Sequence, residues 1–270
     1  MEQIKFSPGL EAMTGEVRFK LTNNVTFLCT MQHSKTALKG LICALLGFKL
    51  SEVRDVILLN TIDYASVVNK EIILDTRVLL NDAQIINVEL QTYPYKWWVE
   101  RSLLYLCRSY DSLSSGEDYS LLKPTTHISI MTHTLFPECP EFYAKHLMMN
   151  VKNHHPYSLN FSLNVLDLNS IELATDEDKA NKLDMWAKLF KAVTWDDLKA
   201  LAAMSIEAKE AVESMYKANS DYMEKYLAEA HEKFVLDKLT LENALKKANT
   251  ALAEKDKEIE ELKRQLELKV

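Results

Sequence analysis

The chain has 270 residues and a formal net charge of −7, with 47% hydrophobic and 26% charged side chains. These proportions belong to a folded globular protein, with room for one sizeable core plus an appendage or for two modest domains. Five glycines and six prolines exclude a low-complexity chain. The acidic total speaks against a tight, non-specific nucleic-acid binder, which is usually basic.

The charge divides almost evenly between residues 1–173 and 174–270. The longest apolar run, Leu41 to Phe48, is too short to span a bilayer. The start, Met-Glu-Gln-Ile-Lys, lacks a charged-then-apolar signal pattern. Cys29, Cys43, Cys107 and Cys139 lie far apart with no Cys-x-x-Cys pair, so buried free thiols in a reducing compartment are expected. The expected location is cytoplasmic, with no membrane partner.

Residues up to about Thr14 read as a loosely ordered lead-in. A short helix is expected around Val25–Met31. Ser34 is a candidate N-cap for a second helix, Lys35–Leu46, with Gly47 as its stop. Leu38, Leu41, Ile42 and Leu45 recur there at helical spacing and should face the core. Val53–Asn60 is a strand by composition.

The stretch Ile72–Gln91 then carries two β-branched apolar runs around a short polar turn, the pattern of a β-hairpin. With Asn81-Asp82-Ala83 as the turn, Leu80 pairs with Gln84 and Asp75 falls opposite Glu89. Paired residues of an antiparallel ladder share a face, and Gln91 shares it too. Two adjacent carboxylates repel unless a proton or cation lies between them, and a hard divalent ion is the natural partner. A two-residue turn instead puts Glu89 on the opposite face. Ordinary surface charge on a half-exposed strand pair is the plainer reading.

After Tyr93-Pro94-Tyr95, Trp97–Tyr110 is an amphipathic helix with Trp98, Leu103, Leu106 and Tyr110 among its packing residues. Ser114–Asp118 is a loop, and Lys123-Pro124 leads into a strand, Thr126–Met131. Phe142–Lys152 and Leu159–Leu168 read as two more strands. This order argues for a mixed α/β sheet. Lys179–Val193 is helical, and the chain beyond Trp195 has neither proline nor glycine. Its end carries a heptad, with Leu245, Leu252, Ile259 and Leu266 at one position and Leu241, Ala248, Lys255 and Leu262 at the other. Such spacing reads as a short coiled coil that Lys255 weakens, or as a single solvated helix packing back on its own domain.

The histidines and cysteine between His127 and His155 match no familiar zinc module. No Gly-rich phosphate loop and no Gly-x-Ser-x-Gly elbow is present. Trp97-Trp98 with Tyr93 and Tyr95 can stack on bases or pack a helix start against the sheet.

Leu-Asp-Thr-Arg at 74–77, a turn, Asn-Val-Glu-Leu-Gln at 87–91 and then Glu100-Arg101-Ser102-Leu103-Leu104-Tyr105 resemble the Rpn family of recombination-promoting nucleases and transposases, within the PD-(D/E)XK nuclease superfamily. Gly116-Glu117-Asp118-Tyr119 followed by Leu122-Lys123-Pro124 resembles the family's next block. Lys182-Leu183-Asp184-Met185-Trp186 resembles its later tryptophan-bearing helix. The resemblance implies a restriction-endonuclease-like α/β core, a mixed sheet flanked by helices, over residues 1–173. A helical region over 174–235 and a coiled-coil-like helix over 236–270 follow, the last a candidate for homodimerisation.

It also implies hydrolysis of a DNA phosphodiester. Asp75 and Glu89 would hold Mg²⁺ or Mn²⁺, with Gln91 at the superfamily's lysine position. Arg77, Arg101 and Tyr105 are candidates for contact with phosphate, and an Arg101–carboxylate bridge over the sheet is the alternative. The chain departs from the family at Asn24-Val25-Thr26-Phe27-Leu28, where Asp-x-x-Phe-Lys is usual. Asn24 offers a metal only a neutral oxygen, so a catalytically weak or inactive interaction protein is the competing expectation.

Overall fold

The computed structural model describes residues 5–60 and 76–267. Among the described residues six strands form one sheet in the order β1-β2-β3-β4-β6-β5. They are β1 Val56–Leu58, β2 Thr76–Leu80, β3 Gln84–Gln91, β4 Thr125–Met131, β5 Tyr143–Leu147 and β6 Phe161–Asp167. The β1–β2, β2–β3 and β5–β6 pairs are antiparallel, and β3–β4 and β4–β6 are parallel. The helices are α1 Pro8–Glu11, α2 Asn24–His33, α3 Lys35–Leu46, α4 Trp98–Tyr110, α5 Asp176–Ala180, α6 Leu183–Lys191, α7 Trp195–Ala202, α8 Ile206–Ser220 and α9 Tyr222–Glu267. This six-stranded mixed sheet, flanked by helices and followed by a long C-terminal helix, is the α/β fold that the resemblance implies.

The chain divides into two compact units, residues 1–228 and 229–270. In the first, alternation along the strands sorts side chains onto two faces. Val78, Leu80, Ile86, Val88, Leu90, Ile128, Ile130 and Leu166 face one core, shared with Phe27, Leu38, Leu41, Trp186 and Phe190. The helices α6, α7 and α8, beyond residue 173, therefore share a core with the sheet. The other face is covered by α4, whose Trp98 packs on Met131 and Val165. Beyond residue 228 the described residues belong to α9, whose apolar residues are described below. No helix among the described residues is long and apolar enough to cross a membrane.

Local chemistry explains the elements that the sequence marks well. Ser34 accepts a hydrogen bond from the Ala37 N–H at 3.2 Å and so caps α3. Gly47, at φ 70°, ends it in the left-handed region. Leu38, Leu41, Ile42 and Leu45 are all buried.

Other segments differ from expectation. The lead-in contains α1, because Leu10 is fully buried and Ser7 binds the Glu213 carboxylate through both its N–H and its hydroxyl, at 2.6 Å each. The helix expected over Lys179–Val193 is broken into α5 and α6, since Lys182 adopts φ 61°. In α4 the inward row is Trp98, Ser102 and Leu106, spaced by four, which leaves Leu103 46% exposed. None of the four cysteines forms a disulfide, and Cys29 and Cys43 are buried whereas Cys107 and Cys139 are exposed.

Candidate active site

The hairpin turn fixes the register. Asn81 and Asp82 take φ 52° and 57°, a left-handed conformation that Asn and Asp tolerate better than most residues. The Asn81 side-chain oxygen Oδ1 accepts from the N–H groups of Arg54 and Asp55 at 2.7 and 3.0 Å, tying the turn to the segment that leads into β1. The ladder then runs from Leu80↔Gln84 to Thr76↔Val88, with Arg77 opposite Asn87. This is the three-residue-turn register. Asn87, Glu89 and Gln91 share one face of β3, and exposed Arg77 lies on that same face of β2. Asp75 and the beginning of the expected hairpin, Ile72–Leu74, lie outside the described residues.

Glu89 is buried, 2% exposed, beneath α4. Its Oε1 accepts from Gln91 Nε2 at 2.8 Å and from Arg101 Nη2 at 2.9 Å. The Arg101 guanidinium in turn lies 5.7, 5.8 and 5.0 Å from the ring centres of Tyr95, Trp98 and Tyr105. Flat, weakly hydrated guanidinium suits such a surround. The structure thus brings Glu89, Gln91, Arg101 and Tyr105 together, with Arg101 engaged on the carboxylate. At 31% side-chain exposure Arg101 reaches solvent, whereas Glu89 and Gln91 do not. Trp97 is 54% exposed, with the Lys96 ammonium 4.7 Å from its ring centre. A cleft of about 250 Å³ is lined by Tyr95, Lys96, Trp98, His133 and Phe136.

A second polar row lies on the neighbouring strand. In β4, His127 pairs with Asn87 and Ser129 with Glu89, so both point under α4. Asn87 Nδ2 donates to His127 Nδ1 at 3.1 Å, which places the ring proton on Nε2. Burial, and secondarily the Arg101 charge, holds the His127 pKa down to about 4, so the ring stays neutral. His127 Nε2, Ser129 Oγ and Trp98 Nε1 are buried without a hydrogen-bond partner among the described residues. Sequence reasoning missed this row. Period-two alternation from His127 through Ser129, read alongside Glu89, is the signal that finds it.

Asn24 stands in the first turn of α2 and donates from Nδ2 to the Leu90 carbonyl at 3.1 Å. The Gln91 carbonyl is taken by the Thr132 N–H on the β4 side, so the Leu90 carbonyl points the other way, toward the β2 side. Asn24 therefore meets β3 between Glu89 and Gln91, at its β2 edge. The hydrogen bond orients the amide and leaves Oδ1 buried with no partner among the described residues. The Glu89 carboxylate and the spare Asn24 amide oxygen are each hard-oxygen donors of the kind that a divalent ion such as Mg²⁺ takes. No group of three or more His, Cys, Asp or Glu able to hold a metal occurs among the described residues.

No curated protein and no solved structure significantly matches the chain. The model of the PD-(D/E)XK nuclease family transposases matches residues 27–248, beginning three residues after Asn24 and ending within α9. Nucleases of this kind are generally metal-dependent hydrolases, and membership implies a nuclease-type role in processing DNA. Matched over most of its length and carrying the corresponding fold, the chain belongs to the PD-(D/E)XK nuclease family transposases.

Proposed function

We propose that the chain is a metal-dependent DNA endonuclease whose site is built on Glu89, Asp75 and Gln91. One observation supports this above the others: a buried carboxylate on β3 shares its face with Gln91 and is bonded by a partly exposed arginine. In this reading Asp75 stands opposite Glu89, the pairing expected from the Leu80–Gln84 register, and supplies the second carboxylate. Asp75 and Glu89 would hold Mg²⁺ or Mn²⁺, with Asn24 Oδ1 as a further neutral oxygen. When bound, the ion polarises the phosphoryl oxygen and makes a coordinated water acidic enough to attack.

The chain's own groups do the rest. Gln91 carries no titratable proton, so it orients Glu89 and does not act as a base. Arg101 balances the Glu89 charge and, being partly exposed, would also reach a DNA phosphate beside a cation held by Asp75 and Glu89. Tyr105 and Arg77 contact neighbouring phosphates, and exposed Trp97 with Lys96 offers stacking and charge to a strand. We take the C-terminal helix as the element through which a second copy binds, which presents one site to each strand. Cysteines that form no disulfide, and a DNA substrate, suit the cytoplasm.

A second reading, a catalytically weak or inactive interaction protein on the nuclease scaffold, has Asn24 and the Arg101–Glu89 bond in its favour. Plasmid nicking decides between them. The nuclease reading requires Mg²⁺-dependent nicking that is lost in Asp75→Ala and in Glu89→Ala while both variants keep wild-type circular dichroism. Absence of nicking in the wild-type protein with either Mg²⁺ or Mn²⁺ supports the inactive scaffold.

A further inference from the structure

Residues 229–270 form a unit of their own, consisting chiefly of the distal part of α9. Leu241, Leu245, Leu252, Ile259 and Leu262 recur there at alternating three- and four-residue steps, with Ala248 and Lys255 completing the row. These five large side chains are between 49% and 71% exposed. A seam this narrow matches another helix of the same pattern better than a broad globular surface. Acidic and basic side chains nearly balance over the unit, so neither DNA nor a strongly charged protein is the expected occupant.

We propose that a second copy of this chain covers the seam, with the two helices antiparallel. The proposal rests on the self-association named above and adds its geometry. Covering the five side chains on both helices removes roughly 400–700 Å² of apolar surface, about 700–1,200 Å² of interface at the usual apolar share. That is the lower edge of stable complexes and suits a dimer of micromolar affinity.

The side chains choose the orientation. In a parallel, in-register pair Lys255 faces its own copy in the core and Asp237 meets Glu242 of the second copy, both like-charge contacts. Ala248 then faces Ala248 and leaves a gap. An antiparallel pair centred between Leu252 and Lys255 removes all three faults. Leu245 then meets Leu262, Ala248 meets the larger Ile259, and Leu252 meets the aliphatic stem of Lys255. The Lys255 ammonium stays on Glu258 of its own helix, 2.7 Å away. At the rim Glu242 meets Lys263 of the second copy, where a parallel pair uses Glu258 instead.

Charge exchange tests this by sedimentation equilibrium of the full chain. The wild type should be a dimer at about 100 µM, and Lys263→Glu should weaken it roughly five- to thirtyfold by inverting two rim pairs. Adding Glu242→Lys should restore the dimer, whereas adding Glu258→Lys should not. Restoration by Glu258→Lys alone overturns the antiparallel arrangement and keeps the dimer. A wild-type chain that is monomeric at that concentration overturns the self-association, and plasmid nicking separately reports whether the nuclease reading stands.

Discussion

Replacing Arg101 with methionine removes a cation from a carboxylate that is almost wholly buried. The guanidinium donates to Glu89 Oε1 at 2.9 Å, and the Glu89 side chain is 3% exposed against 31% for Arg101. Breaking a fully buried pair costs about 3–5 kcal/mol, and solvent around Arg101 reduces this to roughly 2–3 kcal/mol. In a unit of this size each kcal/mol moves the melting midpoint by about 2–4 °C, so Arg101→Met should melt about 4–12 °C lower in EDTA. Manganese should then stabilise the variant more than the wild type, because in the wild type the guanidinium already balances the Glu89 charge. At a hundredfold excess over Kd, binding contributes about 2.7 kcal/mol. Differential scanning fluorimetry in EDTA and in Mn²⁺ reads both effects. A variant melting within about 1 °C of the wild type, or equal Mn²⁺ shifts in both proteins, refutes the reasoning.

Three further outcomes follow from the packing and the buried polar groups. Asn24→Asp exchanges the donor to the Leu90 carbonyl for a carboxylate facing it. It should cost about 1–3 kcal/mol in EDTA and recover with Mg²⁺, as thermal midpoints in the two buffers will show. His127 is held at about 4 against an ordinary 6.5. The unfolded chain therefore takes up that proton first as the pH falls. The stability this neutral ring contributes is whole above about pH 6.5 and shrinks by roughly 3 kcal/mol on the way to pH 4. Urea midpoints between pH 7.5 and 4.5 should fall accordingly, and His127→Phe should flatten that slope. Gly40→Ala would put a Cβ 2.4 Å from Glu207 Cβ and 3.2 Å from Trp186 Cζ2, where α3 meets α8 and α6. That overpacking should cost about 1–3 kcal/mol in a urea titration, and a neutral result would contradict the helix packing behind the sheet.

Where a local rule acts alone, the sequence reads cleanly. Ser34 and Gly47 bound α3 because a cap and a left-handed stop are properties of single residues. The hairpin register is legible because Asn81 and Asp82 accept positive φ and the flanking runs alternate. The break at Lys182 leaves no such mark: a lysine in the left-handed region is neither glycine nor proline, and tertiary packing decides it. The strand β4 is opaque for another reason. Two threonines, a histidine and a serine look half-exposed, yet all are buried, and their partners lie on β3 and β6. The sequence likewise leaves two places for Arg101, on phosphate or on a carboxylate, because only the crossing of α4 over β3 sets its distance from Glu89.

The account turns on whether Glu89 and Asp75 together bind a divalent cation. Electron paramagnetic resonance of Mn²⁺ titrated into the full chain, and into Glu89→Gln and Asp75→Asn, measures this without any need for turnover. Saturable binding in the wild type that is lost in both variants is the predicted result. Undiminished binding in either variant, or none in the wild type, contradicts it.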